Sequence, residues 1–190
     1  MNLDVSATPH RQGHLFEELP AAVDSGTLAP ALSREALVAW QRRVAHFQGA
    51  LRLVPPPQQT DLFGDRPPAL PDPWGLPRQP EEFYQHRGDR GEPCLYFVLD
   101  GALPAVLYIG QTGALHRRWQ GDHDCKRYMD NYRRCHQHHH LPLTLTFAFW
   151  WDVPALASAR RQVERQAIAH WQSPFNKENW QTWQVPFVFR

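Results

Sequence analysis

The sequence predicts an α+β fold, in which a small three-stranded antiparallel sheet is flanked by helices. Two short apolar runs, residues 94–99 and 105–109, are joined by a turn at Asp100-Gly101, and this is the pattern of a β-hairpin. In a third run, residues 143–151, apolar and polar side chains alternate as they do along a half-buried strand. Segments with helical spacing surround these runs, so strands and helices are mixed along the chain.

One helix is predicted in the N-terminal part of the chain. Residues 1–30 show no sustained periodicity. From Ser33, a suitable N-cap, apolar residues follow at roughly helical spacing as far as Phe47, and Gly49 lies near the expected end. A single helix cannot form a core by itself, so we interpret residues 1–54 as an N-terminal extension, part helical and part extended.

A proline-rich segment separates this extension from the rest of the chain. Ten of the 18 prolines lie between Pro55 and Pro93, where apolar periodicity is almost absent. Proline fixes φ and removes a backbone donor, which favours an extended, polyproline-like chain. We therefore predict a linker at residues 55–92 and one full-sized domain at residues 93–190.

Three helices are predicted in the C-terminal domain. The first, residues 115–121, follows the hairpin. The second is expected around residues 128–135, inside a polar, histidine-rich segment that we interpret as solvated. The third opens at Pro154 and runs to about Trp171, with apolar residues along one stripe.

Charge and cysteine content set weak bounds on the function. Nine basic and twelve acidic residues precede Cys94, whereas eleven basic and seven acidic residues lie from Cys94 onward. The mildly basic C-terminal half suits a partner with a phosphate backbone, although such a charge is also ordinary for a globular domain. The three cysteines are an odd number, and no secretory signal or apolar run of membrane-spanning length is visible. We expect a cytoplasmic protein with no membrane partner.

Two tyrosine motifs lie on the predicted hairpin. Leu95-Tyr96 is followed, after eleven residues, by Tyr108-Ile109-Gly110. Further along the chain come Gln111-Thr112, then Arg118, Glu164 and the closing Pro174-Phe175-Asn176. This ordered set, which covers about a hundred residues, resembles the GIY-YIG nuclease family. One departure is that Cys94 stands where the family's first motif has glycine.

The resemblance implies an enzyme that hydrolyses phosphodiester bonds in DNA with one Mg²⁺ or Mn²⁺ ion. In similar nucleases the first-motif tyrosine, here Tyr96, is the general base, and Tyr108 assists it or orients the attacking water. Arg118 would bind the scissile phosphate, because a guanidinium holds two phosphate oxygens at once. Glu164 would be the sole protein ligand of the metal ion. A free tyrosine has a pKa of about 10, so the family role requires neighbouring positive charge to lower it.

The resemblance also implies supporting residues. Gln111, Arg117 and Asn176 are predicted to contact the substrate or to fix the site by hydrogen bonding. Many relatives place a histidine or tyrosine four residues after the arginine, and that position is Asp122 here. We assign the proton-relay or water-ordering role to His123, one residue further on. A shift of one residue on a helix turns a side chain by about 100°.

Each of these residues also has a purely structural interpretation. Tyr96 and Tyr108 could pack across a hairpin, Arg118 could lie on a solvated helix face, and Glu164 could pair with neighbouring arginines. Their joint occurrence, in order, favours a metal-dependent DNA endonuclease with a role in repair or recombination. The alternative is a catalytically silent adaptor that binds nucleic acid and docks on a partner through its linker.

A cluster of cysteine and histidine residues lies in the polar segment, and these are the usual zinc ligands. Its members are Cys125, Cys135, His136, His138, His139 and His140. Their spacing matches no closed zinc motif such as paired CxxC units, so a solvated, DNA-facing segment is the favoured interpretation. A zinc-stabilised RNA-binding module stays open as an alternative.

The linker contains a candidate partner motif. Gln59-Thr60-Asp61-Leu62-Phe63 resembles the pentapeptide by which bacterial repair and replication proteins dock on the DNA sliding clamp. An extended segment can present Leu62 and Phe63 to a pocket at little ordering cost. A five-residue match is also common by chance, and these side chains could instead pack on the domain.

Overall fold

The computed structural model describes residues 32–53, 70–85, 92–121 and 123–185. The helices in these ranges are α1 (Arg34–Arg52), α2 (Leu115–Gln120), α3 (Asp124–His138), α4 (Ala157–Trp171) and α5 (Trp180–Trp183). The strands are β1 (Arg78–Pro80), β2 (Cys94–Asp100), β3 (Ala105–Thr112) and β4 (Leu145–Trp150). Short 3-10 turns lie at Pro73–Gly75, Glu81–Gln85 and Lys177–Asn179. An antiparallel sheet packed against helices confirms the α+β class.

The sheet has four strands in the order β1-β4-β2-β3, so the prediction of three strands is wrong. The additional strand, β1, lies at the edge, pairs with β4 and comes from the segment predicted to be a linker. Three residues are too few to show an alternating pattern, and Pro80 argues against a central strand. An edge position tolerates proline, because one side of the strand has no neighbour that needs its N–H.

Both faces of the sheet are covered. Every residue of β2 is buried, as expected of a central strand that packs on both sides. One face, which includes Tyr96, packs against α1, α2 and α3. The other face, which includes Leu95 and Phe97, packs against α4. This arrangement explains why residues 94–99 form a continuous apolar run instead of an alternating one.

Helix α1 packs on the C-terminal half of the chain. It begins as predicted, because the Ser33 hydroxyl accepts a hydrogen bond from the Ala36 N–H at 3.2 Å. It continues past Gly49 to Arg52. Its apolar face is buried in the same cluster as Tyr96, through Leu37, Trp40 and Val44. The division into extension, linker and domain stays a prediction, but α1 and β1 both pack on residues of the predicted domain.

Gln48 closes the free edge of β3. Its amide nitrogen donates to the carbonyls of Val106 at 3.0 Å and Trp171 at 2.9 Å, and its amide oxygen accepts from the Val106 N–H at 2.6 Å. Gln48 is only 1% exposed, so water cannot replace these bonds. They join α1 to both β3 and α4.

We expect Gln48→Leu to lower the free energy of unfolding by about 3 kcal/mol, because it leaves a buried N–H and two buried carbonyls without partners. Urea unfolding followed by circular dichroism measures this change. Gln137→Leu, at an exposed position of α3, is the matched control and should change stability by less than about 0.5 kcal/mol. Equally small changes in both variants would contradict the role of Gln48.

Helix α3 differs from the solvated segment predicted there. One face of this 15-residue helix is buried, through Cys125, Tyr128, Met129, Tyr132, Cys135 and His136. These positions recur at the helical spacings of three and four residues. Because polar and basic residues dominate the composition of the segment, the composition suggested a solvated segment and the buried face was missed. The ends of α2, α4 and β4 lie within three residues of the predicted ones.

The described residues do not test the predicted location or the predicted clamp partner. Among the described residues, none of the helices combines the length and the apolar character needed to cross a membrane. Residues 59–63, the candidate clamp motif, lie outside the described ranges. Docking on a sliding clamp and a cytoplasmic location therefore remain predictions.

Candidate active site

The hairpin of β2 and β3 brings the two tyrosines of the motifs together. Antiparallel pairing places Tyr96 opposite Gly110 and Val98 opposite Tyr108, so both phenol rings lie on the same face of the sheet. The rings are stacked, with centroids 6.0 Å apart and planes at 30°. Tyr96 is fully buried, whereas Tyr108 is half-buried and lines a cleft. Of the two, Tyr108 is the one that a substrate can reach.

Gly110 makes room for the Tyr96 ring. A Cβ atom at position 110 would lie 2.9 Å from Cε2 of Tyr96, and closer still to Cζ and the hydroxyl oxygen. The ring also packs edge-on against Trp119, with centroids 5.4 Å apart, so it has little room to move away. The glycine of the second motif is thus required by the tyrosine of the first.

Arg118 and Glu164 reach the same cleft from α2 and α4. The cleft has a volume of about 510 Å³, and its lining includes both side chains together with Tyr108 and His123. Glu164 is fixed at the edge of β3, where Oε1 accepts a hydrogen bond from the Gln111 N–H at 3.0 Å. The structure therefore brings Tyr108, Arg118, His123 and Glu164 together, with Tyr96 behind Tyr108.

Other residues of the cleft were not identified from the sequence. They are Asp124, Tyr128, Arg165, Ile168, Lys177 and Glu178, and the lining also includes Phe175 of the closing motif and Cys125 of the cysteine and histidine cluster. Lys177 forms an ion pair with Asp124, Nζ to Oδ2 2.8 Å, which joins the start of α3 to the turn after Asn176. Lys177 and Glu178 directly follow the Pro174-Phe175-Asn176 motif, so the residues that flank this motif were the available signal.

Burial opposes ionisation of both tyrosines. Desolvation raises the pKa of Tyr96 well above its usual value, and the neighbouring Tyr108 raises it further. Desolvation also raises the pKa of Tyr108. The Arg118 guanidinium lowers both pKa values, but by less than burial raises them. A tyrosine that acts as the general base needs a lowered pKa. In the protein alone both tyrosine pKa values are raised instead, so both phenols are neutral at pH 7.

Glu164 suits a hard divalent cation. Burial raises its pKa and the charge of Glu178 adds to this effect, while the Gln111 N–H and Arg118 lower it. A carboxylate that has lost part of its hydration gains from a neighbouring cation. Among the described residues, no three His, Cys, Asp or Glu side chains converge on one ion. A metal at Glu164 would therefore take its other ligands from water and phosphate oxygens.

The cysteine and histidine cluster forms no such convergence within the described ranges. The Cys125 thiol packs on the sulfur of Met129 at 3.9 Å. The His136 ring is held at Nδ1 by the Pro142 carbonyl at 2.9 Å and at Nε2 by the Gln41 amide at 3.0 Å. His136 therefore joins α3 to α1 and to the segment that follows α3, and the contact between Cys125 and Met129 lies within α3.

Asn176 and Gln111 are held by other groups of the protein. The Asn176 amide accepts from the Ile109 N–H and donates to the Ile109 carbonyl, each at 2.9 Å. Asn176 is 6% exposed and so fixes the strand that carries Tyr108. The Gln111 side-chain oxygen accepts from Nε of Arg160 at 2.9 Å. Asn176 lines the cleft and acts by positioning β3, whereas Gln111 is not part of the lining and meets the site only through its backbone N–H, which bonds to Glu164.

Arg117 and His123 differ in their relation to the cleft. Arg117 is exposed and is not part of the lining, because it points about 100° away from Arg118 around α2. His123, half-buried at the start of α3, lines the cleft and packs edge-on against Trp119, with centroids 4.4 Å apart. Asp122, the other candidate for the role of His123, lies outside the described residues.

Comparisons of the chain with models of known protein families, with curated proteins and with solved structures found no match. The resemblance to GIY-YIG nucleases therefore rests on the sequence motifs and on the cleft in which their residues meet. Family membership and activity are accordingly proposals.

Proposed function

We propose that the chain is a divalent-metal-dependent DNA endonuclease of the GIY-YIG type. The observation that carries the proposal is the convergence of Tyr108, Arg118, His123 and Glu164 on one cleft. These residues come from β3, α2, α4 and the N-cap of α3. Packing alone gives no reason for a phenol, a guanidinium, an imidazole and a carboxylate to meet there, whereas phosphodiester hydrolysis uses all four groups.

Each group has a role in hydrolysis. The Arg118 guanidinium binds two oxygens of the scissile phosphate and offsets the negative charge that develops in the transition state. Glu164 would hold one Mg²⁺ or Mn²⁺ ion, which would supply Lewis-acid stabilisation of that charge when bound. Tyr108 is half-buried and lines the cleft, so we assign contact with the attacking water to its hydroxyl. Both ring nitrogens of His123 are enclosed, so we assign to His123 a role in ordering the cleft wall through its packing on Trp119.

Tyr96 takes a different role from the one that its motif implies. Its hydroxyl is fully buried near Arg118 and makes no well-formed hydrogen bond to the residues that the structure describes, and Tyr96 does not line the cleft. A general base must come within hydrogen-bond distance of the proton that it removes. We therefore assign to Tyr96 the positioning of Tyr108 and Arg118.

Cleavage of a panel of labelled DNAs tests the proposed function. Single-stranded, duplex, flap and branched DNAs are incubated with Mg²⁺, Mn²⁺ or EDTA, and we expect metal-dependent products. Arg118→Lys keeps the positive charge but cannot hold two phosphate oxygens at once, so we expect a rate about ten to a hundred times lower. Arg117→Lys, outside the cleft lining, is the matched control and should cleave at the native rate.

Binding without cleavage on every DNA would overturn the enzyme and favour the nucleic-acid-binding adaptor. The raised pKa of both tyrosines is the observation that favours this second function, because a neutral phenol is a poor base. Equal losses of rate in the two lysine variants would mean that the contact of Arg118 with the scissile phosphate is not specific.

A further inference from the structure

Arg160 is a buried cation on α4, one helical turn before Glu164. It is only 5% exposed. Nε donates to the Gln111 side-chain oxygen at 2.9 Å, and Nη1 donates to the carbonyls of Pro154 and Ala155, both at 3.0 Å. The guanidinium is thus held in one orientation between β3 and the loop that precedes α4.

This buried charge has no counter-charge in the part of the chain that the structure describes. No carboxylate there lies within ion-pair distance of Arg160. Glu164, four residues further on, is instead bonded to the Gln111 N–H. Uncharged oxygens accept hydrogen bonds from Arg160 but do not neutralise it, and an unpaired buried charge is unfavourable. An anion supplied by a ligand would remove this penalty.

One edge of the Arg160 guanidinium is open to such a ligand. Nη2 has no hydrogen-bond partner among the described residues. It lies beside Gly113, where a Cβ atom would be 3.5 Å from Nη2, so the glycine leaves the approach clear. The Gln111 amide is oriented by the bond from Arg160 to its oxygen, which leaves its nitrogen as a donor.

We propose that Nη2 of Arg160 and the amide nitrogen of Gln111 form a second phosphate-binding point beside the cleft. It takes a backbone phosphate of the DNA strand next to the phosphate that is cleaved, and in this it rests on the proposed function. The two points are adjacent, because the backbone N–H of Gln111 holds Glu164 while its side chain meets Arg160. A guanidinium fixed in advance binds phosphate with little loss of side-chain entropy.

Neutralising single phosphates in the DNA tests the proposal. A DNA that the native chain cuts is prepared as a series in which one phosphate at a time, near the cut, is an uncharged methylphosphonate. Single-turnover cleavage is measured against protein concentration, and the concentration at half-maximal rate reports binding. We expect one phosphate next to the cut at which the change raises this concentration at least about fivefold, since charge-assisted hydrogen bonds are lost.

Arg160→Gln should bind the unmodified DNA more weakly by a similar factor and should no longer respond to the methylphosphonate at that position. Non-additivity of this kind marks a direct contact. The same position-specific loss in Arg160→Gln and in the native chain would overturn the proposal while the nuclease function stands. Failure of the native chain to cut any DNA would overturn both.

Gln111→Glu keeps the test valid if Arg160→Gln does not fold. A carboxylate at position 111 can accept the bond from Nε of Arg160 and neutralise the buried charge within the protein, so we expect normal thermal unfolding. The same methylphosphonate should then have no effect, because the site is already paired. Full sensitivity in a folded Gln111→Glu variant would overturn the second phosphate-binding point.

Discussion

Glu164→Gln is expected to lower the rate of metal-dependent DNA cleavage by at least about a hundredfold. The glutamine oxygen can still accept the Gln111 N–H bond that fixes Glu164 at the edge of β3. The negative charge that holds the cation is lost, so Mn²⁺ binding followed by calorimetry should weaken together with the cleavage rate. The two measurements separate loss of the metal from a change elsewhere in the site.

The metal-free stability of the Glu164→Gln variant should be equal to that of the native chain or slightly higher. Burial raises the pKa of Glu164, which means that the charged form is disfavoured at this position, and glutamine removes that charge. Glu178→Gln is the matched control, because Glu178 lines the same cleft and is exposed. Native cleavage by Glu164→Gln, or equal loss in Glu178→Gln, would contradict the assignment of Glu164 as the sole protein ligand.

Gly110→Ala is expected to lower the free energy of unfolding by about 2–3 kcal/mol and to reduce cleavage at least about tenfold, because the added methyl group overlaps the Tyr96 ring. Tyr96 is enclosed by Tyr108 and Trp119, so the ring cannot shift without moving them. Displacement of Tyr108 in turn changes the cleft. Chemical denaturation measures the stability, and the DNA panel measures the activity.

Gly49→Ala provides the control for this substitution. Nothing lies within 4 Å of a Cβ atom at position 49, and the residue is inside α1, so alanine should raise stability by about 0.5–1 kcal/mol. A double-mutant cycle with Tyr96→Leu tests the cause, since Gly110→Ala should cost little once the ring is absent. A full cost of Gly110→Ala in the Tyr96→Leu background would exclude overlap with the ring as the reason.

The strongest local patterns predicted the parts of the fold that depend on near neighbours. Helix α1 begins after Ser33 because the Ser33 hydroxyl accepts a hydrogen bond from the backbone N–H of Ala36, which has no partner within the helix. A serine just before a run of helical spacing can be recognised in the sequence. The hairpin follows from two apolar runs about a turn, and the eleven residues between the tyrosine motifs place both phenols on one face of the sheet. The identities of Tyr108, Arg118 and Glu164 as site candidates came from motif order alone, and His123 was chosen as the residue next to the motif position.

The sequence by itself thus determined the α+β class, the hairpin and the candidate residues, because periodicity, caps and motif spacing are local properties. The tertiary structure alone decided which of these residues face the cleft. It buried Tyr96 beneath the cleft, added β1 to the sheet and closed the edge of β3 with Gln48, 58 residues away from Val106. Burial and hydrogen bonds between distant segments depend on how the elements pack. The same packing removes water from Tyr108, which raises its pKa, and buries the charged side chain of Arg160.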